Sequence, residues 1–170
     1  MTIESSIPRL SLSAFQSVLM TLNRQGWWDV VPAAAGWYVV ETDAPLSVIS
    51  KVPPPKEKGK HYKVAKRLKD AQFLIAGGVA ITPDHDGAPF IVYSGEHGDL
   101  KARAREHTHG DKGTACMCLS QYESLWRFQW KFYYRTCEEH VPGSCGNKAL
   151  RTYLEQKWRG ENGWPILCTH

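Results

Sequence analysis

Residues 125–135, LWRFQWKFYYR, place a large aromatic side chain at every second position: Trp126, Phe128, Trp130 and Phe132. Arg127, Gln129, Lys131 and Tyr133 fall between them. A repeat of two is the period of a β-strand, whose successive side chains point to opposite faces of a sheet. An aromatic face of that size has to be buried against a second layer, so the chain must build a sheet with something packed on it. The run is read as one long strand over 125–135.

The segments around it supply the other layer. Phe15, Val18, Leu19 and Leu22 are spaced as on a helix over 13–24, with Ser11 or Ser13 to cap it and Gly26 beyond its end. Residues 36–42, GWYVVET, and 90–93, FIVY, are aromatic and β-branched and read as strands. Between them, KVPPPKEKGK is an extended connection and KHYKVAKRLKD a short basic helix with Tyr62, Val64, Ala65 and Leu68 inward. FLIAGGVAI then suits a bent strand or tight hairpin, and TPDHDGAP a loop. Asp99 can cap a helix over 100–109 with Gly110 as its stop. Asn147 caps another that runs through Trp158, with Leu150, Leu154 and Trp158 as its apolar stripe. The order helix, strand, basic insertion, strand, helix, strand, helix is α+β, and 170 residues make one domain, 1–170.

Charge matters here through its distribution. The formal net charge is only +4. Yet Lys51, Lys56, Lys58, Lys60, Lys63, Lys66, Arg67 and Lys69 crowd one stretch against Glu57 and Asp70 alone, which leaves the rest slightly acidic. Such a local field attracts polyphosphate, although a basic run can equally be a solvated face. No basic, apolar leader opens the chain and no apolar run is long enough for a membrane span, so the expectation is a cytoplasmic protein without membrane contact. Five cysteines, at 116, 118, 137, 145 and 168, are then expected as free thiols.

In the helix DLKARAREHTHG, Arg103 and His107 stand four apart on one face, just after the strand end at Tyr93. Tyr, Arg and His converging where strand meets helix suit phosphoryl chemistry. Arg forks onto two phosphate oxygens at any accessible pH, and Tyr or His can position or deprotonate water. An exposed Arg and His pair is the plainer alternative.

These residues carry a resemblance. Gly36-Trp37-Tyr38 and Tyr93-Ser94-Gly95 resemble the two halves of the GIY-YIG nuclease signature, with Arg103 ten residues past Tyr93 and His107 four further on. The final helix, ALRTYLEQKWRGENGWPILC, is similar to the family's C-terminal helix, in which Glu155 matches the metal-binding glutamate. The chain is most like the family's type II restriction enzymes, over roughly 36–42 and 90–168.

The resemblance implies a small three-stranded antiparallel sheet flanked by helices, with a basic insertion at about 43–88. It implies roles as well. Tyr38 is the general base or orients the attacking water. Tyr93 bonds water or phosphate, Arg103 clamps the scissile phosphate, and His107 supports Tyr38 or assists proton transfer. Glu155 holds a single Mg²⁺ or Mn²⁺. The expected function is metal-dependent hydrolysis of DNA, of the restriction type on duplex substrate, with Lys60, Lys63, Lys66 and Arg67 on backbone phosphates. A palindromic site is normally cut by a two-fold homodimer.

Two departures are visible: the tyrosine elements lie unusually far apart, and no Asn follows Glu155 at the expected place. The alternatives are a structure- or single-strand-specific nuclease, a non-catalytic nucleic-acid-binding module, and a zinc-stabilised domain built on Cys116, Cys118, Cys137, His140 and Cys145. Glu155 can also be a solvated helix residue paired with Arg151 or Arg159.

Overall fold

A computed structural model of the chain describes residues 7–55, 63–110, 115–144 and 146–169. In chain order its elements are β1 (Gln16–Leu19), β2 (Gly36–Thr42), α1 (Leu46–Ile49), α2 (Val64–Asp70), α3 (Gln72–Ala76), β3 (Ala80–Ile81), β4 (Phe90–His97), α4 (Leu100–His109), β5 (Trp130–Thr136), α5 (Cys137–His140), α6 (Lys148–Asn162) and β6 (Trp164–Pro165). Four strands form an antiparallel sheet in the order β1-β5-β2-β4, and β3 pairs with β6 in a parallel two-stranded patch.

The sheet is therefore α+β as expected but one strand wider than the three-stranded core the resemblance implies. The extra strand is β1, within the segment whose spacing suggested a helix over 13–24. Val18 lies opposite Phe132 and Leu19 opposite Lys131. β5 would otherwise be a bare sheet edge, and pairing its N–H and C=O groups outweighs the weak helical periodicity of a short segment.

β5 itself begins only at Trp130. Leu125 ends a 3₁₀ turn over Glu123–Leu125, and Trp126 is left exposed. The aromatic face is real from Trp130 onward, where Trp130, Phe132 and Tyr134 are all buried. The bent strand or tight hairpin expected at 73–81 is α3 followed by β3, and Gly78 makes the turn between them at φ +67°. β3 pairs with the chain that follows α6 rather than with its own neighbour. Helices α4 and α6 match their expected starts: Asp99 Oδ1 accepts from Ala102 N–H, and Asn147 Oδ1 from Leu150 N–H.

Two layers follow from the pleat. Tyr38 and Val40 point to one face, where Phe132, Tyr134, Leu100 and Ala104 join the larger apolar cluster. Trp37 and Val39 point to the other, where Leu154 and Trp158 of α6 cover them. Helix α4 thus packs on one side of β2 and β4, and α6 on the other.

Candidate active site and the second charged cluster behind it

Two glycines set the packing around Tyr38, Gly36 between β2 and β5 and Gly95 between β2 and β4. A Cβ on Gly36 would collide with the Arg135 carbonyl oxygen on the neighbouring β5, so only glycine lets β2 lie this close. Gly95 is directly opposite Tyr38. A Cβ there would stand 2.5 Å from the Tyr38 hydroxyl, because the phenol ring lies across the glycine. Tyr93 pairs with Val40, on the same face as Tyr38, and the two phenol rings are near-parallel with centroids 6.1 Å apart.

Helix α4 completes the group. Arg103 Nε donates to the Tyr38 oxygen at 2.9 Å, and His107 Nε2 lies 3.0 Å from the same oxygen. Arg103 Nη2 reaches the Tyr93 hydroxyl at 3.4 Å. Residues separated by as many as 69 positions therefore meet at one phenol. Burial pushes the Tyr38 hydroxyl well above its usual pKa and neighbouring Tyr93 adds to the rise, while Arg103 opposes both. Burial raises Tyr93 likewise. Burial, then the nearby Arg103 charge, holds His107 well below the ordinary histidine range, so the imidazole is neutral. Its Nδ1 accepts from Met117 N–H at 3.4 Å, which assigns the proton to Nε2. The Tyr38 oxygen then accepts from two N–H donors, a pattern that favours phenolate; burial is the stronger effect and keeps the phenol neutral.

The group is closed over. Ala115 O accepts from Arg103 Nη2 at 3.0 Å and from the Tyr93 hydroxyl at 3.3 Å. Arg103 Nη1 is paired with Glu106 at 2.8 Å, one turn along the same helix. All four side chains are buried. On the Glu106 side a cavity of about 160 Å³ is lined by Gln25, Trp28, Arg105, Glu106, His109 and Gly110.

Glu155 does not belong to this group. Val39 pairs with Ser94, and both point to the α6 face. Ser94 Oγ donates to Glu155 Oε1 at 2.9 Å, and Arg159 Nε contacts the same carboxylate oxygen. Gln156 Nε2 donates to Oε2 at 3.1 Å. The alternation along β4 is the reason: Tyr93 and Gly95 point toward α4, and Ser94 between them points back. The expected five-residue site is thus two clusters on opposite faces of one strand, separated by its thickness. The pairing of Glu155 with Arg159 matches the plainer alternative, but the carboxylate is buried, not solvated, at 6% exposure. Arg159 also donates to Ser94 Oγ, Ser94 O and Cys168 Sγ, and lies over the Trp164 ring. A carboxylate is the hard oxygen donor Mg²⁺ prefers, and one can suffice with phosphates and waters. The donor type fits, and an ion there has to replace a guanidinium on Oε1.

Several participants were not singled out in sequence. Glu106 was legible, being three residues past Arg103 on a helix. Ala115 O and Met117 N–H were not, because backbone groups of a loop leave no compositional trace. Of the other expected residues, Lys63 and Lys66 are exposed, Arg67 is half-buried, and Lys60 lies outside the described residues. Cys116 and Cys118 have their sulfurs 3.3 Å apart, whereas Cys137 packs on the α6 face and Cys145 lies outside the described residues. Among the described residues no three His, Cys, Asp or Glu side chains are grouped to hold a metal. No helix among them is long and apolar enough to cross a membrane.

Comparison of the chain with protein-family models, with curated proteins and with solved structures finds no match in any of the three.

Proposed function

We propose that this chain is a metal-dependent endonuclease that hydrolyses DNA phosphodiester bonds, with duplex cleavage of the restriction type as its leading form. One observation carries the reading: Arg103 and His107 converge on the Tyr38 oxygen, and Arg103 also reaches the hydroxyl of Tyr93 stacked beside it. Phosphoryl transfer needs little covalent help from a protein and much positioning of charge, which is what a forked cation and two phenols provide.

The Ala115 carbonyl marks where a phosphate would bind. It accepts from both Arg103 Nη2 and the Tyr93 hydroxyl, the donors that would hold a phosphoryl oxygen. Substrate would displace this carbonyl, and Arg103 would exchange one neutral acceptor for a charged one, a stronger hydrogen bond. Tyr38, neutral at pH 7 because it is buried, has both lone pairs taken by Arg103 Nε–H and His107 Nε2–H, so its O–H donates to the attacking water and orients it. Glu155 is the carboxylate that would hold a single Mg²⁺ or Mn²⁺, an ion that would supply polarisation of the phosphoryl oxygen and stabilisation of the leaving 3′ oxygen. Because Glu155 lies on the other face of β4 and is bound by Arg159, this role requires the carboxylate to leave Arg159 and meet the phosphate at the strand's edge.

A second reading has its own observation. The four-residue group is buried with its polar atoms bonded inward, and Glu155 is engaged by Arg159 on the other face. A nucleic-acid-binding module that kept this fold without the chemistry would look the same.

Supercoiled plasmid separates them. The endonuclease nicks it in Mg²⁺ or Mn²⁺ and is silent in chelator, and Arg103→Met abolishes nicking while the protein still melts cooperatively. Retention of plasmid without nicking in any divalent metal would establish the module instead.

A further inference from the structure

Phe73, on α3, is 92% exposed, the most exposed large apolar side chain among the described residues. The helix pair that presents it is otherwise well packed. Val64, Leu68 and Ala71 are buried in the main core, and Ile75 packs against it. The exposed positions Lys66, Lys69, Phe73 and Ala76 recur at steps of three and four, the spacing of one helix face. Ala71 forms a one-residue turn between α2 and α3, with Gln72 Nε2 donating to Leu68 O across it, so α3 follows α2 directly as a second short helix. Lys63 is also exposed, and Asp70 is taken up by Lys66 at 2.7 Å.

A phenylalanine exposed among lysines offers a flat apolar face beside cations, which complements a partner that is both anionic and apolar in a flat way. Nucleic acid meets that description, because phosphates and base faces occur together along one strand. A polyanion without planar faces would use the lysines and leave the ring idle. An anionic lipid surface would take a broader apolar stripe, and α2 and α3 have turned theirs into the core.

We infer that the exposed face of α2 and α3 is a nucleic-acid contact in which Lys63, Lys66 and Lys69 track phosphates and the Phe73 ring stacks on a base. This rests on the nucleic-acid reading above, adds a residue that the basic run alone does not indicate, and requires no catalysis.

Binding can be read apart from cleavage by titrating a fluorescein-labelled 24-base single-stranded DNA, whose base faces are open to stacking, with full-length protein in EDTA. Phe73→Ala should weaken binding by about tenfold at every salt concentration, since one base–aromatic stack is worth about 1–3 kcal/mol. Lys66→Gln with Lys69→Gln should lower the salt dependence of log K by about one to two. Phe73→Trp should bind like the parent and lose indole fluorescence on adding DNA. Because Phe73 is exposed, unchanged melting is expected for each variant. Equal affinity of Phe73→Ala and parent would overturn the inference. So would loss of self-association on Phe73→Ala without loss of DNA binding, or loss of binding to phosphatidylserine vesicles alone. If Phe73→Ala behaves as expected but plasmid is never nicked, this contact stands and the endonuclease reading falls.

Discussion

His107 is completely buried between Tyr38, Tyr93 and the Met117 amide, and its charged form is disfavoured. A histidine with a depressed pKa in the folded state stabilises the fold fully above its unfolded pKa of about 6.5. That contribution is lost as pH falls below 6.5, because the unfolded chain takes up a proton that the folded one refuses. The melting temperature should therefore drop between pH 7 and 5, and His107→Gln should flatten part of that drop, the remainder belonging to His109 and His140, which burial lowers as well. Asp70 and Glu139 have carboxyls held below their usual range, so their effects fall at lower pH and are separable. Gly95 is the other telling residue. Gly95→Ala pushes a methyl into the Tyr38 ring and should cost about 1–3 kcal/mol of stability in denaturant titration, with loss of any activity that depends on that phenol.

At the level of elements, α6 faces β4 with charges every fourth residue. Arg151 pairs with Glu96 at 2.7 Å, and Glu155 and Arg159 share Ser94. Removing one member of such a buried pair strands the other, so Glu155→Ala should cost about 3–5 kcal/mol in urea unfolding, whatever else Glu155 does. Glu155→Gln keeps an acceptor for Ser94 and is the better probe of metal binding; loss of nicking at nearly unchanged stability would assign the carboxylate a chemical role. The two helices that carry functional groups were legible because a cap, an apolar stripe and a stop agreed at α4 and α6. β1 was not, since its strand state comes from the open edge of β5, which no local pattern records. The gathering of Tyr93, Arg103 and His107 was legible from spacing once strand and helix were placed, whereas Tyr38 entered only through the resemblance. The separation of Glu155 was missed for a simple reason: sequence order gave the helix but not which face of the sheet it would cover.

Over the whole molecule, one edge strand, β4, divides a phenol–guanidinium–imidazole group from a carboxylate–guanidinium group, and the lid over the first is a single stretch of backbone. On the proposed reading, that lid yields to a phosphate and the Tyr38-centred group cuts DNA. Its most direct test is the single-turnover rate of duplex cleavage in Mg²⁺ for the parent and Tyr38→Phe, with thermal melting measured alongside. Removal of one hydroxyl should leave the fold and DNA affinity in place and slow cleavage by about a hundredfold or more, the usual scale for losing a group that acts on the reacting atoms. Equal cleavage rates for the two proteins, or no cleavage by the parent while DNA is bound, would contradict it.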